Sequence, residues 1–351
     1  MQLSATALLF GAISLASGVM GQDKPPANFG VKFTNGIEVL NTGVNGGLSA
    51  IPGSSYTRTR WSWGTIPKTC YDQAMEGYCN PYDMEIYEVK YSDCGTPVTI
   101  CRCNNAPMSI NQLSDAIGKL PVKGRQWALY FSHFTGNSCS AWAAGVNIAI
   151  LGNCGQSAVF HELTHVLDSY AVNTKGGAYS RQGEWAQIVL KGSCVATYYA
   201  RGSGWPESYA EAGVMTAYHV NVRSIWDLDV GCMADQMGKN IEQLGGILKR
   251  QSGATCNRLW AKDPAVCMGP AARDAGNCPG LRRAVAATSA SAAGIMVEVP
   301  PVLAPEEQKI AEEEKVEAAK VAGYVIHKNG TVTWPEAEAK RSTGVPKGFM
   351  A

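Results

Sequence analysis

Twelve cysteines, all between residues 70 and 278, constrain this chain more than any other feature: Cys70, Cys79, Cys94, Cys101, Cys103, Cys139, Cys154, Cys194, Cys232, Cys256, Cys267 and Cys278. The number is even, and the chain opens like an exported one. Met1–Gly21 contains the apolar run "ALLFGAISLASGVMG", with no charged side chain before Asp23 and small residues at Gly18 and Gly21 that suit a signal peptidase. A signal peptide over 1–21 and a mature start near Gln22 are predicted. In an oxidising compartment the cysteines then imply up to six disulfides. No Cys-x-x-Cys pair occurs, and Cys101-x-Cys103 is a poor spacing for a zinc-thiolate site.

The apolar part of the leader is shorter than the ~20 residues that span a bilayer. No other segment is longer and as apolar, so no membrane partner is expected. Lys and Arg number 30 against 29 Asp and Glu, a net charge of +1. That balance gives no electrostatic reason to expect nucleic acid. A secreted, extracellular protein, in some settings attached to a cell wall, is the resulting expectation.

Residues 22–60 are rich in Gly, Asn, Ser and Pro and read as a loose lead-in. Residues 61–280 hold every cysteine and form the expected domain. Within it, 61–103 carries five cysteines and strand-like runs such as "MEIYEVKY". "QWALYF" (126–131) and "GVNIAIL" (145–151) also read as strands, and helices are expected near 156–171, 181–192, 206–219 and 237–250. After Pro279 the composition becomes alanine-rich and charged, and 281–351 reads as a low-complexity, flexible tail. It contains the glycosylation acceptor Asn329-Gly330-Thr331.

One pentapeptide carries recognisable chemistry. "HELTH" (161–165) lies in "GQSAVFHELTHVLDSY", where Val159, Leu163, Val166, Leu167 and Tyr170 fall at helical spacing. A helix puts residues four apart on one face, so His161 and His165 point the same way and can grip one Zn²⁺. Glu162 could then reach a metal-bound water as general base. The bland alternative is a helix that happens to carry two histidines. A third ligand of the metzincin kind would need glycine at 168 and histidine at 171, where this chain has Asp168 and Ala171. The aspartate motif Gly-Thr-x-Asp is absent too.

"GWPESYAEAGVMTAYH" (204–219) offers a glutamate instead. Pro206 suits the first turn of a helix. Glu207, Ala210, Glu211, Val214, Met215 and Tyr218 then share one stripe, which places two carboxylates on a face expected to be buried. Buried carboxylates are costly unless paired or bound to metal.

"HELTH" followed by "ESYAEAG" resembles the glutamate-zincin metallopeptidases. Thermolysin-like enzymes share the identical pentapeptide, and lethal-factor-like peptidases have a similar Glu-x-x-Ala-Glu helix about this far downstream. The resemblance covers residues 156–219. It implies an α+β, zincin-like domain with the disulfide-rich β segment at its N-terminal side, and a zinc peptidase acting on peptide or protein substrates. Carried over by position, it implies Glu207 as third ligand with Glu211 as the competing candidate. Whichever carboxylate does not bind metal would orient a liganding histidine.

Tyr198 and Tyr199 resemble in placement the tyrosine that assists the developing oxyanion in lethal-factor-like enzymes; simple aromatic packing is the alternative. Asp168, on the face of His161 and His165, either orients an imidazole or bonds a loop. His133, His219 and His327 have no supporting context. An exposed edge strand for an extended substrate would be 126–131 or 145–151. Separately, residues 61–94 resemble secreted fungal proteins associated with conidiation. The rival reading is therefore a non-catalytic secreted or cell-wall protein that keeps a zincin-like fold.

Overall fold

The computed structural model describes residues 23–172, 177–256 and 259–278, with the backbone of 325–326 and 332–333. The expected signal peptide, Asn329, His327 and nearly all of the expected tail lie outside the described residues.

The fold is mixed α+β. The strands are β1 (Gly30–Val31), β2 (Tyr56–Arg60), β3 (Thr65–Pro67), β4 (Met84–Tyr91) and β5 (Val98–Cys103), then β6 (Tyr130–Phe134), β7 (Ser140–Ala144), β8 (Asn147–Leu151), β9 (Cys194–Val195) and β10 (Ala265–Cys267). The helices are α1 (Lys68–Gln73), α2 (Ile110–Lys119), α3 (Val122–Arg125) and α4 (Gln156–Tyr170), then α5 (Glu184–Val189), α6 (Tyr198–Ser203), α7 (Trp205–Asn221), α8 (Ala234–Leu248) and α9 (Pro270–Asp274). Val325–Ile326 pairs antiparallel with Val332–Thr333.

The central six-stranded sheet runs β2-β4-β5-β6-β8-β7. The pairs β5–β6 and β6–β8 are parallel and the other three antiparallel. All five residues of β6 and the last four of β8 are buried, as interior strands covered on both faces require. Helix α2 starts with a capping box, in which Ser109 and Gln112 each satisfy the other's backbone N–H. Its Ser114 carbonyl accepts a bond from Tyr91 Oη, 2.6 Å, which ties α2 to β4.

Three expectations need correction. The strand expected at 126–131 begins only at Tyr130, because Pro121 opens a short helix that runs into a turn before Ala128. Neither 126–131 nor 145–151 supplies an edge: β6 and β8 are interior, and the edges are β2 and β7. The lead-in is not loose either. Ile37 and Leu48 are fully buried, Leu40 nearly so, and β1 pairs in parallel with β9. Its scattered apolar anchors sit among so many Gly and Asn residues that no period shows.

All twelve cysteines are paired. Cys101 and Cys103 are two apart on β5, so both face one side of the sheet, where they meet Cys70 and Cys79. Cys139–Cys154 closes the β7–β8 hairpin, and Cys194–Cys232, Cys94–Cys256 and Cys267–Cys278 complete the set.

Helices α4, α7 and α8 form the second half of the core. The first two approach closely at Gly213, where an added Cβ would lie 2.3 Å from Thr164 Oγ1. The N-terminus of α4 is capped from the lead-in. Asn41 Oδ1 accepts from Ser157 N at 2.7 Å, and Asn41 Nδ2 donates to Ser157 Oγ at 2.8 Å. Glycine at 155 makes room for that side chain, since a Cβ there would lie 2.4 Å from Asn41 Nδ2.

Candidate metal centre

His161 and His165 lie one turn apart on α4, and Glu207 lies in the first turn of α7. The Gly213 contact brings the two helices close enough for their side chains to converge. His161 Nε2 is 2.9 Å from Glu207 Oε2 and 3.1 Å from His165 Nε2, while His165 Nε2 is 3.4 Å from Glu207 Oε1. The three ligand-capable atoms lie within 4.8 Å of one another. Two imidazole nitrogens facing each other at that range repel unless a proton or a cation stands between them.

This triangle suits zinc. Ligand atoms around a tetrahedral ion with bonds of about 2.0–2.1 Å lie about 3.3–3.4 Å apart, close to the spacings found. The charge states suit it too. Burial holds the His161 pKa below the ordinary histidine value and favours the neutral ring. Burial alone would raise the Glu207 pKa, but His165 and His161 outweigh it and hold that carboxyl well below its usual range. Neutral imidazoles and an ionised carboxylate are the forms that bind a metal.

Glu211 and Asp168 both bond to loops. Asp168 accepts from Ser180 N at 2.9 Å and from Ser180 Oγ at 2.6 Å, and so anchors the 179–181 turn. Glu211 accepts from Thr197 Oγ1 at 2.7 Å, and that same oxygen accepts from Ala200 N to cap α6. Burial raises the Glu211 pKa to about 8 against the Thr197 bond, and neighbouring Glu207 adds to the rise. The two carboxylates of α7 are thereby separated in role, one ionised and one protonated. His161 Nδ1 is buried with no hydrogen-bond partner among the described residues.

Glu162 is 2% exposed, beside His161 on α4. The two tyrosines of α6 part company. The Tyr199 ring is 6.1 Å from that of His161, whereas Tyr198 is 55% exposed with Arg201 5.1 Å from its ring. His133 is buried and its Nε2 lies 2.9 Å from the Gly152 carbonyl oxygen, which is a loop anchor; His219 Nδ1 accepts from Ile225 N. The Asn41 cap was missed in the sequence; its only signal is a residue type favoured for capping, more than a hundred positions from the helix it serves.

Residues 31–321 match the family model described as conidiation-specific protein Con-13. Conidiation-specific protein 13 of Neurospora crassa is 43% identical over 286 residues, which cover 80% of this chain and 83% of the relative. The chain belongs to the Con-13 family. No solved structure matches it. The family membership overturns the expectation of a zinc metallopeptidase: the chain groups over most of its length with conidiation-specific proteins, whereas the peptidase resemblance rested on two helices. It bears out the resemblance to conidiation-associated proteins seen in residues 61–94. Among the described residues, no helix is long and apolar enough to cross a membrane.

Proposed function

We propose that this Con-13 family member is a secreted, non-catalytic protein, at home on or near the fungal cell wall during conidiation, whose His161, His165 and Glu207 hold a Zn²⁺ ion. The ion supplies a cross-link between α4 and α7. The observation that carries this reading is the largely buried triangle of two imidazole nitrogens and one carboxylate, with spacings close to those of ligands around tetrahedral zinc. Six disulfides point to an oxidising compartment.

In this role each residue has a plain task. His161 and His165 present lone pairs from one helix face, Glu207 brings a negative charge from the facing helix, and Gly213 sets the separation. Because a preformed site binds metal and an unfolded chain does not, bound zinc adds to folding stability. The imidazoles must lose their protons to bind, so zinc is expected to leave as pH falls through the histidine range.

The test is thermal unfolding of purified protein with and without a chelator, combined with a peptidase screen on wild type and Glu162→Gln. The reading expects a lower melting temperature after chelation, and no turnover in either protein. Peptide turnover that Glu162→Gln abolishes would overturn it.

A further inference from the structure

The molecule carries a second built surface on the disulfide-rich side, formed by different residues from the metal centre. Trp63 is 43% exposed, yet it is held firmly. Its ring stacks on Tyr82 with centroids 6.0 Å apart and planes 29° apart, and Nε1–H donates to the Tyr82 carbonyl at 3.1 Å. Tyr82 is fixed in turn: its hydroxyl accepts from Ala271 N, and its own N–H donates to Asn80. The next residue, Gly64, accepts from Met268 N, within the segment tied down by Cys267–Cys278. A large apolar ring is thus displayed to solvent at no cost in rotamer freedom on binding, since that freedom is already spent.

Two arginines share a single carboxylate beside Trp63. A notch of about 50 Å³ opens beside it, lined by Trp61 and rimmed by Arg60 and Glu85. Arg60 bonds one oxygen of Glu85 at 3.0 Å and Arg102 bonds the other, also at 3.0 Å. Arg60 keeps a side-chain exposure of 59%, which leaves further N–H donors in its planar fork facing solvent.

We infer that the Trp63–Tyr82 face docks a neutral polysaccharide of β-linked hexopyranose units. One face of such a sugar ring is a flat array of C–H bonds that packs on an indole, while its rim is hydroxyls that pair with guanidinium and carboxylate groups. The notch has room for one small ring substituent. A protein partner is disfavoured because the apolar area displayed is a single ring, far below the ~1,000 Å² of a specific interface. A nucleic acid is disfavoured because Arg60 and Arg102 are both engaged by Glu85, which leaves one excess positive charge where phosphate binding draws on several. The inference does not depend on the metal.

The experiment is co-sedimentation of purified full-length protein with insoluble β-1,3-glucan and, separately, with chitin. Wild type is expected in the pellet of at least one polymer, and Trp226→Ala, which removes a comparably exposed tryptophan (42%), is expected to behave identically. Trp63→Ala is expected to bind at least about tenfold more weakly, with its zinc content unchanged. A second measurement does not need the variant to fold: soluble oligosaccharide from the polymer bound should shield Trp63 of the wild type from chemical oxidation, read by mass spectrometry. Wild type left in both supernatants, Trp63→Ala pelleting like wild type, or Trp63 oxidised equally with and without oligosaccharide would each overturn the inference.

Discussion

Gly213→Ala puts the geometry of the helix pair to a test in which two physical arguments give opposite signs. Alanine is the better helix former by about 1 kcal/mol, so on propensity alone the variant should be more stable. The structure argues otherwise. A Cβ at 213 would lie 2.3 Å from Thr164 Oγ1, 2.4 Å from its Cγ2 and 2.8 Å from its Cβ. Comfortable carbon–carbon contacts are about 3.5–4.0 Å, so α4 and α7 must part by about 1 Å or Thr164 must move. Thr164 is fully buried and its hydroxyl donates to the Phe160 carbonyl at 2.8 Å, so rotating it leaves a buried polar group unpaired. Overpacking of this kind costs roughly 1–3 kcal/mol and an orphaned buried hydroxyl about as much again. After the gain in propensity, a net loss of roughly 1–5 kcal/mol is expected, or about 2–20 °C in melting temperature for a domain of this size. Urea and thermal unfolding followed by circular dichroism, in chelator, read this directly. With zinc present, metal affinity should also fall, because Glu207 rides on α7. Adding Thr164→Ala should restore most of the loss. A single Gly213→Ala variant more stable than wild type would refute the reasoning.

Other expectations follow from individual contacts. Burial outweighs the Thr197 bond and pushes the folded Glu211 pKa up from the ordinary 4.5 to about 8. The folded state therefore holds that proton more tightly than the unfolded one. Its contribution is full below pH ~4.5 and is lost as pH rises through about 8. Glu211→Gln should flatten this decline in unfolding free energy measured in chelator from acid to mildly alkaline pH; an unchanged slope would count against a protonated Glu211. Asn41→Ala removes the acceptor of Ser157 N and should cost about 1 kcal/mol in urea unfolding, whereas Asn41→Asp, which keeps that acceptor, should cost much less.

The site was legible in the sequence to the extent that its chemistry is local. The 3.6-residue period of residues 156–170 and the two histidines one turn apart required nothing from elsewhere in the chain, and α4 spans Gln156–Tyr170. The same holds for α7, where proline marks the start and two carboxylates share the stripe. What lay beyond reach depends on distant partners. Glu211 meets Thr197, and Asp168 meets Ser180, because of how loops fold over the helices. The edge strand β7, "SAWAA", is short and contains three alanines, so no strand signal survives in it. The cysteine pairing depends on which face of β5 meets α1 and the turn after it, although Cys101 and Cys103 sharing a side was implicit in their spacing. Chemical function was the least legible of all. A pentapeptide shared with peptidases describes a way to hold a metal, and family membership over most of the chain points elsewhere.

Zinc content per chain, by elemental analysis of wild type, Glu207→Gln and Glu211→Gln purified without chelators, tests the central claim most directly. About one zinc in wild type and in Glu211→Gln, with loss in Glu207→Gln, is the result expected from a site built of His161, His165 and Glu207. Folded wild type without zinc, or metal lost in Glu211→Gln but kept in Glu207→Gln, would contradict it.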